Sequence, residues 1–466
     1  MPSRLVGDAQ AWLRGHEDEL LDDLLALLRI PSVESEPLPG APYGEANRQA
    51  LDKVLQLGQG WGMRTKDVEG HCGYAEFGEG GPMVMSMGHL DVVPVGPGWK
   101  HEPFGAELDG GYVYARGAVD DKGPTMASFY AMRAIQECGG LPGVRFRSFF
   151  GCNEESGFGC VKRYVQTEEP PTFGVAPDSG WPLYHGEKGI ADIVVERPLV
   201  EGETRLLELR GGQRSNIVPD SCTARLLVPA RARPGVEQAV QEAWDANVSA
   251  EWQGEVLVVS ARGKAAHGGY PFGGDNAVVR AIRFLKEAVP DGDRKAYAGL
   301  AEIGHIGGDG LGLTGADEPS GPLSANLGIA ETQSGRIRLT VNVRYPVTWG
   351  GGDVRDKAEA AVARKGQGYR IAEFRDSPPL YFPVDHPMVR AICDVYEQET
   401  GEAKLPGTIS GGTYARAMPN SVSIGTGWEG DGEAHETDER LAVASLHKMA
   451  RIYAHILVRL GELARG

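Results

Sequence analysis

The chain has 466 residues, enough for two domains on the usual size range, and is 41% hydrophobic and 24% charged, a globular composition. Its formal net charge of -17 argues against nucleic acid and against an anionic membrane surface, since both reward Lys and Arg. No apolar run is long enough to span a bilayer, and the opening residues lack the apolar core of a secretory signal. The six cysteines have no CxxC spacing, which predicts free thiols in a reducing cytoplasm.

In chain order, residues 8–29 carry Trp12, Leu20, Leu21, Leu24, Leu25 and Leu28 at helical spacing, and the pattern stops at Ile30-Pro31. Three apolar runs then read as buried strands, 83–87, 144–150 and 173–176, with a helix over 124–138 closed by Gly139-Gly140. Strands alternating with helices predict an α/β fold with a mostly parallel sheet flanked by helices. Ligands gather at the carboxyl ends of such strands. From about 187 the character changes. Asn216-Ile217-Val218 precedes a strand over 222–228, a helix over 236–247 and a strand over 256–260; Asn326-Leu327-Gly328 precedes a strand over 336–343, a helix over 354–364 and a strand over 369–374. This echo predicts an inserted α+β domain of doubled β-α-β units. The expected division is 1–186, first part of a metal-binding domain; 187–383, the insert; and 384–466, the second part. In the last stretch a helix is expected over 387–399, a strand over 421–425 and a final helix over 438–460.

Short acidic or histidine-bearing segments sit where these runs end: Gly88-His89-Leu90-Asp91, Asp120-Asp121-Lys122-Gly123, Asn153-Glu154-Glu155-Ser156, Pro177-Asp178-Ser179 and Glu433-Ala434-His435-Glu436. Taken singly, each has an ordinary reading as a helix cap, a turn or a solvated loop. Together they are carboxylates that repel unless cations neutralise them, and nitrogen–oxygen donor sets without thiolate suit Zn²⁺, Mn²⁺ or Co²⁺. In His-x-Asp, the carboxylate of Asp91 is placed to orient the His89 ring.

These segments resemble those of the co-catalytic zinc peptidases and amidohydrolases that include carboxypeptidase G, aminoacylase, succinyl-diaminopimelate desuccinylase and carnosinase. Gly-His-Leu-Asp-Val-Val-Pro (88–94), Gly-Ala-Val-Asp-Asp-Lys-Gly (117–123) and Gly-Gly-Thr-Tyr-Ala-Arg (411–416) are most similar to the bacterial PepV-type dipeptidases. The resemblance implies a zinc-exopeptidase-like fold with an inserted lid domain and two divalent ions per chain, Zn²⁺ first. His89, Asp120 and Asp178 would hold one ion and Asp120, Glu155 and His435 the other. Asp120 would bridge them, with a cis Asp120–Asp121 peptide. Glu154 would be the general base on a metal-bridging water and His267 the donor to the oxyanion, with Asp91, orienting His89, counted as the third catalytic residue. Asn326 and Arg344 would fix a substrate carboxylate, with Asn216, Arg416 and the backbone of Gly411, Gly412 and Thr413 as further contacts near a helix start.

The expected activity is hydrolysis of short peptides with a free carboxylate, most of all dipeptides. The alternatives are an N-acyl-amino-acid amidohydrolase or desuccinylase, and a non-catalytic peptide-binding relative. The doubled insert, able to supply His267 from the same chain, implies a monomer. Cys152, two residues before Glu154, is expected to be core filler or, less simply, a redox-sensitive neighbour of the site.

Overall fold

The computed structural model describes residues 3–466. Two compact units emerge: the first ends at His185 and resumes over Phe382–Gly407 and Gly412–Gly466, and the second comprises Gly186–Tyr381 with Thr408–Gly411. The division returns Thr408–Gly411 to the insert, so Gly411 and Gly412 fall in different units.

In the first unit, four parallel strands form the centre of a mixed sheet, in the order Arg145–Gly151, Met83–His89, Phe173–Ser179, Ser421–Gly425. Antiparallel strands extend it: Cys72–Gly78 and Arg64–Val68 beyond Arg145–Gly151, and Leu183–Glu187 beyond Ser421–Gly425. The sheet is thus parallel only at its centre, and of its marginal pairs Arg64–Val68 with Cys72–Gly78 is a hairpin with a short connection. Alternation along Arg145–Gly151 sorts the two faces. Phe150 packs on Phe129 and Ser148 on Met132, both from the helix Lys122–Glu137. On the opposite face Arg147 and Phe149 meet Tyr164 of the helix Gly159–Thr167. Helices therefore cover both sides, as a buried parallel sheet requires.

The first 30 residues differ from the single helix predicted. Two helices, Arg4–Arg14 and Glu17–Leu28, meet at Gly15, whose N–H closes the first by bonding Ala11 and Trp12. The final helix, Val443–Arg465, begins later than expected because Arg440–Ala442 pairs as a strand with Tyr112–Tyr114.

The second unit has an eight-stranded antiparallel sheet in the order Val248–Gln253, Val256–Arg262, Ser221–Leu227, Arg205–Gly211, Ser324–Gln333, Arg336–Tyr345, Gly189–Pro198, Arg370–Ser377. The order is two-fold symmetric about its middle pair. In each half a hairpin is followed by a helix, Arg233–Glu242 or Gly351–Arg364, that returns the chain one strand beyond its neighbour. The doubling read from sequence is present with a different correspondence. The strand after the first helix is Val248–Gln253, and it, not 256–260, matches Arg370–Ser377. Its half-exposed edge alternation made it inconspicuous in the sequence. Asn326 precedes Arg336–Tyr345 as expected and itself lies within the strand Ser324–Gln333. Residues of both helices join one apolar cluster, including Val236, Val354, Ala358 and Val362.

Tyr345 lies across Gly189 in the register, and a Cβ on that glycine would sit 2.0 Å from its ring. The ring cannot retreat without breaking the 2.7 Å bond from its hydroxyl to Asp376. Gly189→Ala should therefore lower unfolding free energy by about 1–3 kcal/mol, as measured by urea denaturation.

Candidate metal centre

The sheet's topology explains why the acidic segments converge. From Met83–His89 the chain adds Arg145–Gly151 on one side and Phe173–Ser179 on the other, so the end of the first strand is a switch point where ligands bind. His89 is the last residue of that strand, Glu154 and Glu155 follow the second, and Asp178 closes the third.

Asp120 is at the centre. One carboxylate oxygen lies 2.9 Å from His89 Nε2 and the other 3.1 Å from His435 Nε2. His435 Nε2 is also 3.1 Å from Glu155. The Asp120–Asp121 peptide is cis. Ligand atoms of His89, Asp120 and Glu155 all lie within 4.8 Å of one another, so these three can hold a metal ion, and the nitrogen and carboxylate donors fit Zn²⁺, Mn²⁺ or Co²⁺. Asp178 lines the same cavity as Asp120, a space of about 680 Å³ with Ser179 and the loop 426–434 along its wall.

The electrostatics follow from this packing. Burial works against charge on Asp120, yet His435 and His89 outweigh it and hold the carboxyl far below its ordinary range. Contact with Asp120, then Glu155, raises the His435 imidazolium to about 10. Burial would discharge His89, but Asp120 beside it holds it protonated well above the usual histidine range. Burial, reinforced by the charge of Asp178, pushes the Glu154 carboxyl well up.

Asp91 does something other than expected. The His89 ring is oriented by the backbone carbonyl of Asp91, which accepts Nδ1–H at 2.9 Å, while the nearest carboxylate oxygen is 3.7 Å away. That carboxylate instead accepts the backbone N–H groups of Glu154 at 3.0 Å and Glu155 at 3.1 Å. It holds the loop that carries both glutamates, and Nε2 remains the His89 nitrogen that a cation would take.

Glu439, unremarked in the sequence, does the same for Asp120. Fully buried, it accepts N–H bonds from Gly117, Val119 and Asp120 and is paired with Arg116 at 2.7 Å. Arg116 also reaches the His435 carbonyl at 3.4 Å. The pair thus ties two ligand-bearing loops over three hundred residues apart in sequence. Asp121 accepts the His89 N–H and the Thr125 hydroxyl. Lys122 donates to the carbonyls of Leu27 and Ile30, closing the second helix, and burial depresses its ammonium to about 7. A run of Asp-Asp-Lys-Gly was the signal for these two, whereas nothing local marked Arg116 or Glu439.

Cys152 is buried, its thiol pushed well up by burial, and all six cysteines are free. Its burial within the core matches the reading of Cys152 as core filler. Gly412 lies under Arg416, whose Nη1 a Cβ would approach to 2.5 Å. The helix start expected at Thr413 is a single 3₁₀ turn, Tyr414–Arg416, with Thr413 Oγ1 accepting the Ala415 N–H, so no helix dipole stands behind Gly412 and Thr413.

In the second unit, His267 and Ile217 form a β-bridge, and Asn216 and His267 are both exposed beside it. Gly269 N–H donates to His267 Nδ1 at 3.2 Å, which leaves Nε2 to carry the proton. Arg344 is buried and donates to Asn342 at 2.8 Å and to the Ser410 carbonyl at 2.6 Å, next to Gly411. Asn326 lies close by in the same unit. Its amide is buried and donates to the carbonyls of Ser215 and Ile217, each at 2.9 Å, so it braces the loop bearing Asn216.

Two predictions follow from the first unit. Glu439→Gln should leave the chain folded but weaken Zn²⁺ binding about 10–100-fold, measured by competition with a chromogenic chelator. Because His435 titrates near 10 and must deprotonate to ligate, loading metal at neutral pH should release protons, and apparent affinity should climb as pH rises toward that value. Calorimetry in buffers of different ionisation enthalpy reads the released protons directly.

A family profile described as Peptidase family M20/M25/M40 matches residues 85–459. A proposed dipeptidase of Bacillus subtilis (strain 168), YtjP, is 34% identical over 463 residues, spanning 96% of this chain and 98% of its own. SSP1012 of Staphylococcus saprophyticus, also a dipeptidase by proposal, is 32% identical over 468 residues, with coverage of 96% and 98%. Among solved structures, human carnosine dipeptidase 1 has a TM-score of 0.55 at 16% identity, covering 99% of this chain and 100% of that one. The Saccharomyces cerevisiae dipeptidase Dug1p has a TM-score of 0.57 at 13% identity, over 98% of each chain. At these identities the structural likeness speaks to the fold.

Proposed function

Because the chain belongs to peptidase family M20/M25/M40, we propose that it hydrolyses dipeptides with a free carboxylate, using two divalent cations, Zn²⁺ foremost, held by His89, Asp120, Glu155, Asp178 and His435. The observation that carries this reading is the single carboxylate of Asp120 shared between His89 and His435, the arrangement a bridging ligand needs. The dipeptidase names of the relatives support the substrate class.

When bound, divalent ions neutralise the clustered carboxylates and lower the pKa of a water. The residues supply the rest. Glu154 is the general base: it takes the water's proton on its carboxylate and passes it to the departing amine nitrogen. Burial beside Asp178 favours the protonated acid, which suits a group that must hold a proton between two steps. Asp91 fixes its backbone. His267, with the proton on Nε2, is the assigned oxyanion donor. Arg344 anchors the substrate carboxylate, and Asn216, Gly411, Gly412, Thr413 and Arg416 are further contacts. The doubling of the insert is the ground for reading the protein as a functional monomer, and six free cysteines suit a cytoplasmic setting.

Glu154→Gln should lower kcat on a dipeptide by about 10²–10⁴-fold while metal content by elemental analysis stays at the parent value. A chelated parent should lose activity and regain it with Zn²⁺, Mn²⁺ or Co²⁺. Parallel assays on N-acyl amino acids test the substrate class: faster turnover of those than of any dipeptide would overturn it.

A further inference from the structure

The second unit contains a cavity of about 400 Å³ that the chemistry above leaves unused. Its walls are mainly apolar, with Tyr270, Phe272, Ile306, Pro322, Leu323 and Ile409 contributing. Tyr270, Phe272 and Ile306 are 44%, 73% and 48% exposed, an unusual concentration of large apolar side chains left open to solvent within one unit.

The cavity adjoins the residues proposed to hold substrate through hydrogen bonds of its wall. Ser410, in its wall, is the residue whose carbonyl accepts from Arg344. Gly269 and Tyr270 follow His267 after one intervening glycine, and Gly269 N–H bonds the His267 ring. The Tyr270 hydroxyl accepts the Ser410 N–H at 3.3 Å, and Ser324 Oγ donates to the Gly269 carbonyl at 3.1 Å. The proposed carboxylate anchor and the proposed oxyanion donor are therefore each one hydrogen bond from a residue of this wall. Lys188 is its one charged lining residue, and its ammonium is held by the Pro322 carbonyl in the wall itself. The volume is at the small end for ligand sites, a size for one side chain and not for a longer peptide.

We infer that this cavity receives the side chain of the substrate's carboxyl-terminal residue and selects large apolar ones such as Leu, Ile, Met and Phe. A carboxylate on Arg344 places the attached Cα beside Ser410, so its side chain is the part of the substrate nearest these walls. The inference rests on the dipeptidase reading and deepens it by naming the substrate class.

The experiment compares Ala-Leu, Ala-Phe, Ala-Gly and Ala-Asp as substrates of the metal-loaded parent, Phe272→Ala and Ile306→Asp. Both altered positions are solvent-exposed, and thermal melting verifies folding. The parent should favour Ala-Leu and Ala-Phe over Ala-Gly and Ala-Asp in kcat/KM by about tenfold or more. Ile306→Asp should collapse the Ala-Leu to Ala-Gly ratio, and Phe272→Ala should reduce the Ala-Phe to Ala-Gly ratio. A parent preference for Ala-Asp, an equal fall on every substrate, or variant effects that follow the amino-side residue in a Leu-Ala and Gly-Ala comparison would each overturn the inference while leaving dipeptide hydrolysis standing. A parent that cleaves none of these peptides removes both.

Discussion

The first unit is organised around a repulsion. Asp120, Glu154, Glu155 and Asp178 are brought to one end of a parallel sheet, where like charges at short range in a poorly hydrated setting are costly. The protein meets this with a second layer of carboxylates turned the other way. Asp91 and Glu439 are buried and saturated by backbone N–H groups and, for Glu439, by Arg116. Their donors belong to the loops that carry the front carboxylates, so charge at the back fixes the position of charge at the front. The front groups then retain an unmet demand for positive charge, expressed in the raised His89 and His435 and the elevated Glu154.

Much of this was legible in the sequence because strand ends are marked twice, once by the apolar run and once by the polar residue that stops it. Met83–His89, Arg145–Gly151, Phe173–Ser179 and Ser421–Gly425 all fell where apolar runs predicted strands. The residues at their ends are those that meet in space, together with Asp120 and the distant His435. What escaped notice was long-range and polar. Glu439 reads as one acid among many in a charged loop, and only its burial against Gly117, Val119 and Asp120 reveals its task. The misassignment of Asp91 had a local cause: in His-x-Asp, backbone carbonyl and carboxylate belong to the same residue, and sequence cannot distinguish which one faces the ring.

The second unit failed differently. Its echo was visible, but the matching strands were mispaired because Val248–Gln253 is an edge strand whose alternation is weak in hydrophobic contrast, while the adjacent Val256–Arg262 is buried and conspicuous. The loop bracing by Asn326 was equally silent in the sequence, because its amide satisfies two carbonyls, of Ser215 and Ile217, that lie more than a hundred residues earlier.

The internal symmetry of that sheet has a consequence for how the chain can change over time. The strand Val256–Arg262 leads into His267, whereas its symmetry mate Gly189–Pro198 leads into Leu199–Thr204, a stretch with no histidine. Two copies of one scaffold have thus diverged at matching places: one carries His267, the proposed oxyanion donor, after its buried strand, and the other carries Arg344, the proposed carboxylate anchor, within its hairpin. Drift should be freer in Leu199–Thr204 than in the stretch that bears His267.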